Sequence, residues 1–276
     1  MSGGLLVCDT ISFVGGRFAQ SDGVSYLTNM VLWVNGSIQL SGGSFYSRTN
    51  PGVAVSQTGG LMVLSEGLQA REYLLYGGTL VAPDISVWPG LFLIAGTVRN
   101  TGSLALSEYS RLRIAHTQNL GVLPVGGRAA LELEDGGAVR FAGANAWPGY
   151  GRLTVKHWSG SRTGGGENQV IFGSDASALT PSQLGQIVFE NPAGFPAGTY
   201  PAKILASGEV VPDLPSIAFT RGSAGLSLSW SGSAMLYWST NVGGPFVPVT
   251  PTATNLYDTF LADRQRFFIL KQGASE

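Results

Sequence analysis

Apolar and polar residues alternate in short bursts through the first half of the chain, and glycines punctuate the bursts at a steady interval. Ser41-Gly42-Gly43-Ser44-Phe45-Tyr46 is echoed by Gly59-Gly60-Leu61-Met62-Val63-Leu64 and then by Gly77-Gly78-Thr79-Leu80-Val81. Ala95-Gly96-Thr97-Val98 keeps the interval, and Gly136-Gly137-Ala138-Val139-Arg140-Phe141 follows after roughly two more. A period of two puts alternate side chains on one buried face, which makes these bursts strands rather than helices. Glycine between them supplies the positive φ that a tight corner needs. Corners are also expected at Asn35-Gly36, Thr101-Gly102 and Asp135-Gly136. Self-similarity at about 20 residues marks a solenoid, whose coils bury an apolar face only by stacking. The pattern therefore predicts an all-β chain with a parallel β-helix over residues 1–143. A Greek-key sandwich has strands of similar length, but regular glycine spacing favours the helix.

Residues 144–213 are expected to hold the last coils and a cap. Leu153-Thr154-Val155-Lys156, Ile187-Val188-Phe189 and Ala202-Lys203-Ile204-Leu205 read as strands, with a flexible loop at Gly164-Gly165-Gly166. One helix is predicted between them. Thr180 is its N-cap, Pro181 its first residue and Gln183 the partner in a capping box, with Leu179 and Leu184 as a staple. Gly185 keeps it to about two turns, and its expected place is the open end of the solenoid. Pro212-Asp213-Leu214-Pro215 reads as a linker. Beyond it, residues 214–276 carry four alternating runs that predict a small β-sandwich-like module, expected to dock against the solenoid because so few residues bury little surface.

Composition narrows the chemistry. Charged residues are 12% of the 276, about half the usual share, and there are 40 glycines, about twice the usual number. Hydrophobic residues at 44% exclude a disordered chain. Net charge is -1 with scattered Lys and Arg, which argues against nucleic acid and anionic membranes as partners. A charge-poor surface suits polysaccharides, sister surface proteins or self-association. The single cysteine, Cys8, excludes an intramolecular disulfide and a thiolate metal cluster, and is expected in the core of the first coil. Residues 1–7 lack the charged and apolar regions of a secretory signal, so the chain is expected to begin inside a mature protein. No apolar run reaches the length of a membrane span.

Two stretches carry a resemblance. Trp158-Ser159-Gly160, Gly164 through Gly173, Leu179-Thr180, Gln183-Leu184, Gln186-Ile187-Val188-Phe189 and Gly198 through Leu205 resemble the closing segment of exported bacterial proteins with autotransporter-associated β-strand repeats. These are large surface proteins of verrucomicrobial and planctomycete type. Leu226-Ser227-Leu228-Ser229-Trp230, Tyr237-Trp238-Ser239-Thr240-Asn241-Val242 and Arg266-Phe267-Phe268-Ile269-Leu270 look like the fibronectin-III-like module that ends many of them. The resemblance covers roughly residues 150–270. It implies export or surface display in a structural class, and it brings no catalytic motif with it.

Candidate chemistry is sparse. Parallel β-helices include polysaccharide lyases and glycoside hydrolases, whose sites align acids and bases on one face of adjacent coils. The best local candidate is Glu108 with Arg111 and Arg113, two guanidiniums on one strand face that suit an acidic sugar. The alternative is that both are solvated outward residues while Leu112 and Ile114 face in. Glu132 and Glu134 also share a face, without the spacing of a calcium loop. His116 and His157 have no evident metal partner, and no metal or cofactor is expected. Trp88, Trp147, Tyr150 and Trp158 stand beside Pro or Gly, or near one, where a ring either stacks on a sugar or covers the core at a corner. The expected function is a non-catalytic structural or adhesive protein of the cell surface or exterior. A carbohydrate-active enzyme is the alternative, and a trimeric fibre a third reading.

Overall fold

A computed structural model describes residues 2–48, 54–214, 216–221, 225–230, 234–249, 256–259 and 265–272. Pro215, read above as part of the linker, lies outside them. The chain divides into two compact units, Met1–Pro212 and Asp213–Glu276. The first is a parallel β-solenoid with one short helix.

Each coil visits up to three sheets. The first sheet stacks residues 5–8, 24–27, Ser44–Ser47, Leu61–Leu64, Thr79–Val81 and Thr97–Arg99 in parallel register. It resumes in Gln118–Leu120, Ala138–Phe141 and Gln169–Phe172. The second sheet runs from 16–20 through 37–40, Ala54–Gln57, 72–75, 91–94, Arg111–Ile114, Arg128–Leu133 and Arg152–Lys156 to Ile187–Glu190. A third, shorter sheet pairs 68–70, 85–87 and Leu104–Leu106, and continues as single bridges to Val122 and Val125. Alternation decides what fills the interior. Phe45, Met62, Leu80 and Val139 point in from the first sheet, Tyr73, Phe92, Leu112 and Leu131 from the second, and Ile85 and Leu104 from the third, all at most 1% exposed. Aromatic rings meet edge to face between neighbouring coils, Phe18 with Phe45 at 5.6 Å and Tyr73 with Phe92 at 5.4 Å.

The glycine pairs form the corner that leads into the first sheet. Gly43, Gly60 and Gly78 have φ of 70°, 72° and 78°. Their carbonyls accept the N–H of Leu61, Thr79 and Thr97 one coil later, each at 2.9 Å. Backbones therefore approach so closely that a Cβ on Gly60 would lie 2.6 Å from the Gly43 oxygen. Two of the expected corners differ. Gly136 lies in an outward turn with open space around it, where its coil is longer. Asn35-Gly36 lies within the strand Asp22–Leu40, where the register against the preceding coil shifts.

Corner carbonyls that point inward need donors, and buried amides supply them. Gln20 Nε2 donates to the carbonyls of Gly23 and Ser44, and Gln57 Nε2 to those of Gly60 and Thr79. The Tyr73 hydroxyl donates to Gln57 Oε1 at 2.7 Å. Gln118 bridges a lapse in the first ladder, its Oε1 taking the Val98 N–H while Nε2 reaches Gly96 O. Asn100 joins the carbonyls of Ala82, Pro83 and Ser103 to the Gly121 N–H. Cys8, expected in the core, is only half-buried, and its Sγ donates to Thr10 O.

The helix Pro181–Gly185 forms as its sequence dictates, with Thr180 Oγ1 accepting the Gln183 N–H and Gln183 Oε1 accepting the Thr180 N–H. It occupies the connection between the last strands of the first and second sheets, and Gln183 Nε2 ties it to Asn145 O. The parallel ladders end differently from expectation. Thr199–Ile204 pairs antiparallel with Ile187–Glu190 and then with Val210–Pro212. Glu209 bridges antiparallel to Ile171, so the reversed segment covers the last strand of both main sheets.

The second unit is two three-stranded antiparallel sheets, Ile217–Arg221 with Leu226–Trp230 and Leu256–Thr259, and Val247–Pro248 with Ala234–Ser239 and Phe267–Gln272. Leu228, Leu236 and Val249 form its core, with Trp230, Trp238 and Phe268 packed around them.

Gly78→Val sets a β-branched residue at φ 78° and drives its Cβ into the Gly60 carbonyl. The expected loss is more than about 2 kcal/mol, read as a lower melting temperature, and wild-type melting would refute the glycine corner. Thr180→Ala should remove about 1 kcal/mol with the cap, and an unchanged denaturation midpoint would mean the capping box does not support this end.

Candidate functional site

Outward side chains of the second sheet fall into columns, one residue per coil, because parallel strands keep register. One column reads Leu93, Arg113, Glu132, Lys156, Glu190. Arg113 donates to Glu132 Oε2 from Nε at 3.0 Å and Nη2 at 2.8 Å, and Lys156 Nζ lies 3.2 Å from Glu190. Arg111, one column over, reaches Glu132 at 3.9 Å, as Arg113 does Glu134. Glu132 is outward yet only 6% exposed, enclosed by these cations. Alternating signs down a column stabilise a parallel sheet, and a buried carboxylate depends on its partners more than a surface pair does.

Of the residues singled out in the sequence, Arg111 and Arg113 do come together, around Glu132 rather than Glu108. Glu108 Oε2 accepts the Arg128 N–H at 2.9 Å and so closes a corner of the next coil. Trp147 is half-buried, donates Nε1 to Leu123 O at 2.8 Å and stands edge-on to Phe172, which makes it part of the wall. Trp158 is buried against Phe189 and Phe195, its indole N–H without a hydrogen-bond partner. Trp88 and Tyr150 are exposed. His116 and His157 are exposed as well. Among the described residues no group of three or more His, Cys, Asp or Glu is placed to hold a metal, and no helix is long and apolar enough to cross a membrane.

Two features escaped the sequence reading. On the outside of the first sheet Val7, Tyr26, Tyr46, Val63 and Val81 form one apolar column. Tyr26 and Tyr46 stack with centroids 4.8 Å apart and planes 14° from parallel, beside a shallow groove of about 410 Å³. The second is Glu209, 4% exposed. Its Oε2 accepts the Gly165 N–H at 2.8 Å, which pins the Gly164-Gly165-Gly166 loop, while Oε1 has no hydrogen-bond partner. Burial raises its pKa, and the Gly165 hydrogen bond offsets this in part. For the tyrosines, the signal lay in the repeat interval, which carries Val7 to Tyr26 and Tyr26 to Tyr46.

No protein-family model matches the sequence, and no curated protein or solved structure is significantly similar to it.

The raised pKa of Glu209 has a definite sign. A carboxylate that holds its proton more tightly folded than unfolded adds stability below its unfolded pKa and loses it as pH rises through the folded value. Glu209→Gln keeps an acceptor for Gly165 and removes the charge. Its melting temperature should therefore fall less than the wild type's between acid and neutral pH, and identical pH profiles would show that Glu209 is not the titrating group.

Proposed function

We propose that this chain is a non-catalytic structural or adhesive β-solenoid of the bacterial exterior, which engages glycans or sister molecules through many weak contacts. The observation that carries the reading is the repeating exterior. The first-sheet column places one apolar side chain per coil, and the Tyr26–Tyr46 stack gives two adjacent coils flat ring surface beside an open groove, the kind of face that meets a sugar ring or another sheet. Contacts repeated along a rigid scaffold gain strength by avidity without any strong single site. The charged groups nearest to a catalytic arrangement, Arg113 and Glu132, bind one another tightly, and Glu108 is engaged with backbone. Resemblance to exported autotransporter-associated repeat proteins, with a fibronectin-III-like tail, supports surface display.

The test is incubation with acidic and neutral polysaccharides, with and without calcium, following reducing ends, unsaturated products and retention on the polymer, alongside mass as a function of concentration. Retention or self-association without product is the expected result. Product above a boiled control would make the protein a carbohydrate-active enzyme, and neither retention nor association would sink the adhesive reading.

A further inference from the structure

One outward column of the second sheet breaks the charge alternation. Arg128 and Arg152 are direct register partners on adjacent strands, both exposed, and neither guanidinium has an acidic partner among the described residues. Like charges directly opposite on a sheet repel, and coil spacing holds their backbones only about 4.8 Å apart. In a chain of net charge -1, this pair has no evident use in folding.

Its neighbours point to a ligand. Tyr109 lies in the turn that leads into Arg111–Ile114, one coil before Arg128, its N–H donating to the Arg128 carbonyl at 2.6 Å. Tyr109 is 65% exposed and sits at φ 59°, a left-handed conformation that a tyrosine adopts only at a cost. Tyr150, 72% exposed, lies two residues before Arg152, and Trp88, 51% exposed, turns the same corner one coil before Tyr109. Arg111, half-exposed in the adjoining column, adds a third cation, which also reaches Glu132 at 3.9 Å. The carboxylates nearby are committed, Glu108 to the Arg128 N–H and Glu132 to Arg113.

We infer that the edge formed by Tyr109, Arg128 and Arg152, flanked by Arg111 and Tyr150, binds a uronic-acid polysaccharide lying along the solenoid axis. This rests on the glycan-binding side of the proposed function and assigns it a place and a chemistry. Guanidiniums spaced one coil apart meet carboxylates in paired, charge-assisted hydrogen bonds, and the exposed rings cover the apolar faces of the sugars. Three cations on a chain of negative net charge are too few for nucleic acid, whose affinity comes from neutralising many phosphates. A uronate chain needs fewer charges and offers ring faces between them.

The test measures binding of the full chain to polygalacturonate, to neutral dextran and to duplex DNA, at low and high salt. The variants are Arg128→Ser/Arg152→Ser and Tyr109→Asn, the latter keeping a residue that accepts left-handed backbone. The wild type should bind polygalacturonate in a salt-dependent manner and dextran weakly. The double variant should lose about tenfold or more in affinity with its melting temperature unchanged or raised, since a repulsion is removed. Tyr109→Asn should also bind less without melting earlier. Wild-type affinity in the double variant overturns the site while leaving surface glycan binding in place. Binding to dextran alone, or self-association alone, overturns the uronate inference but not the proposed function. Equal affinity for DNA, lost in the same variant, replaces the polysaccharide with a general polyanion site. A marked fall in melting temperature makes the arginines structural and ends the proposal.

Discussion

Every coil of this solenoid can satisfy its strand hydrogen bonds only on the coils above and below it. That one requirement fixes most of the rest. Strands on a given face must keep register from coil to coil, so inward positions stack into columns of aliphatic and aromatic side chains, and outward positions stack as well. Corners must match in shape closely enough for backbone to lie on backbone, which is why Gly43, Gly60 and Gly78 recur and why their carbonyls meet the next coil at 2.9 Å. Where corner carbonyls turn inward, the buried amides of Gln20, Gln57, Gln118 and Asn100 replace the missing ladder partners. These residues are polar insertions in an apolar interior, each with its hydrogen bonds accounted for.

The fold was largely legible because this constraint writes itself into the sequence as alternation and interval. The helix was legible for a local reason, since Thr180, Pro181 and Gln183 satisfy backbone groups within a single turn. Two features were not. The third sheet hides because Leu68–Leu75 and Ile85–Ile94 bend around a corner as continuous strands, the first without any glycine and the second through Pro89-Gly90. The antiparallel ending hides because Thr199–Ile204 has the composition of any other strand here, and direction of pairing leaves no local mark. The candidate site was half legible for a related reason. Arg111 and Arg113 share a strand face, which alternation reveals, but Glu132 comes to them from the next coil. Outward residues have to be read through the coil interval, as inward ones were.

Seen that way, the exterior of the second sheet has two kinds of column. Arg113, Glu132, Lys156 and Glu190 alternate in sign, and the pairs they form help hold four coils in register. Arg128 and Arg152 do not alternate, and among the described residues no acidic side chain pairs with either guanidinium. Glycan contact, the function proposed for this exterior, gives the second column a purpose that folding does not. The contrast also separates the two surfaces chemically, the stacked tyrosines of the first sheet being neutral and the arginine edge of the second being cationic.

Stacking has a mechanical corollary. In the main sheets the hydrogen bonds between coils run along the solenoid axis, while the covalent chain runs around it. A tensile load along the axis therefore bears on all the bonds of a coil boundary together, on both main faces, and nothing yields until a whole boundary opens. A sideways load concentrates on one corner and unzips the boundary bond by bond. A protein built this way bears load best when anchored at its two ends, and the reversed segment at residues 199–212 guards the last boundary, where opening would otherwise begin.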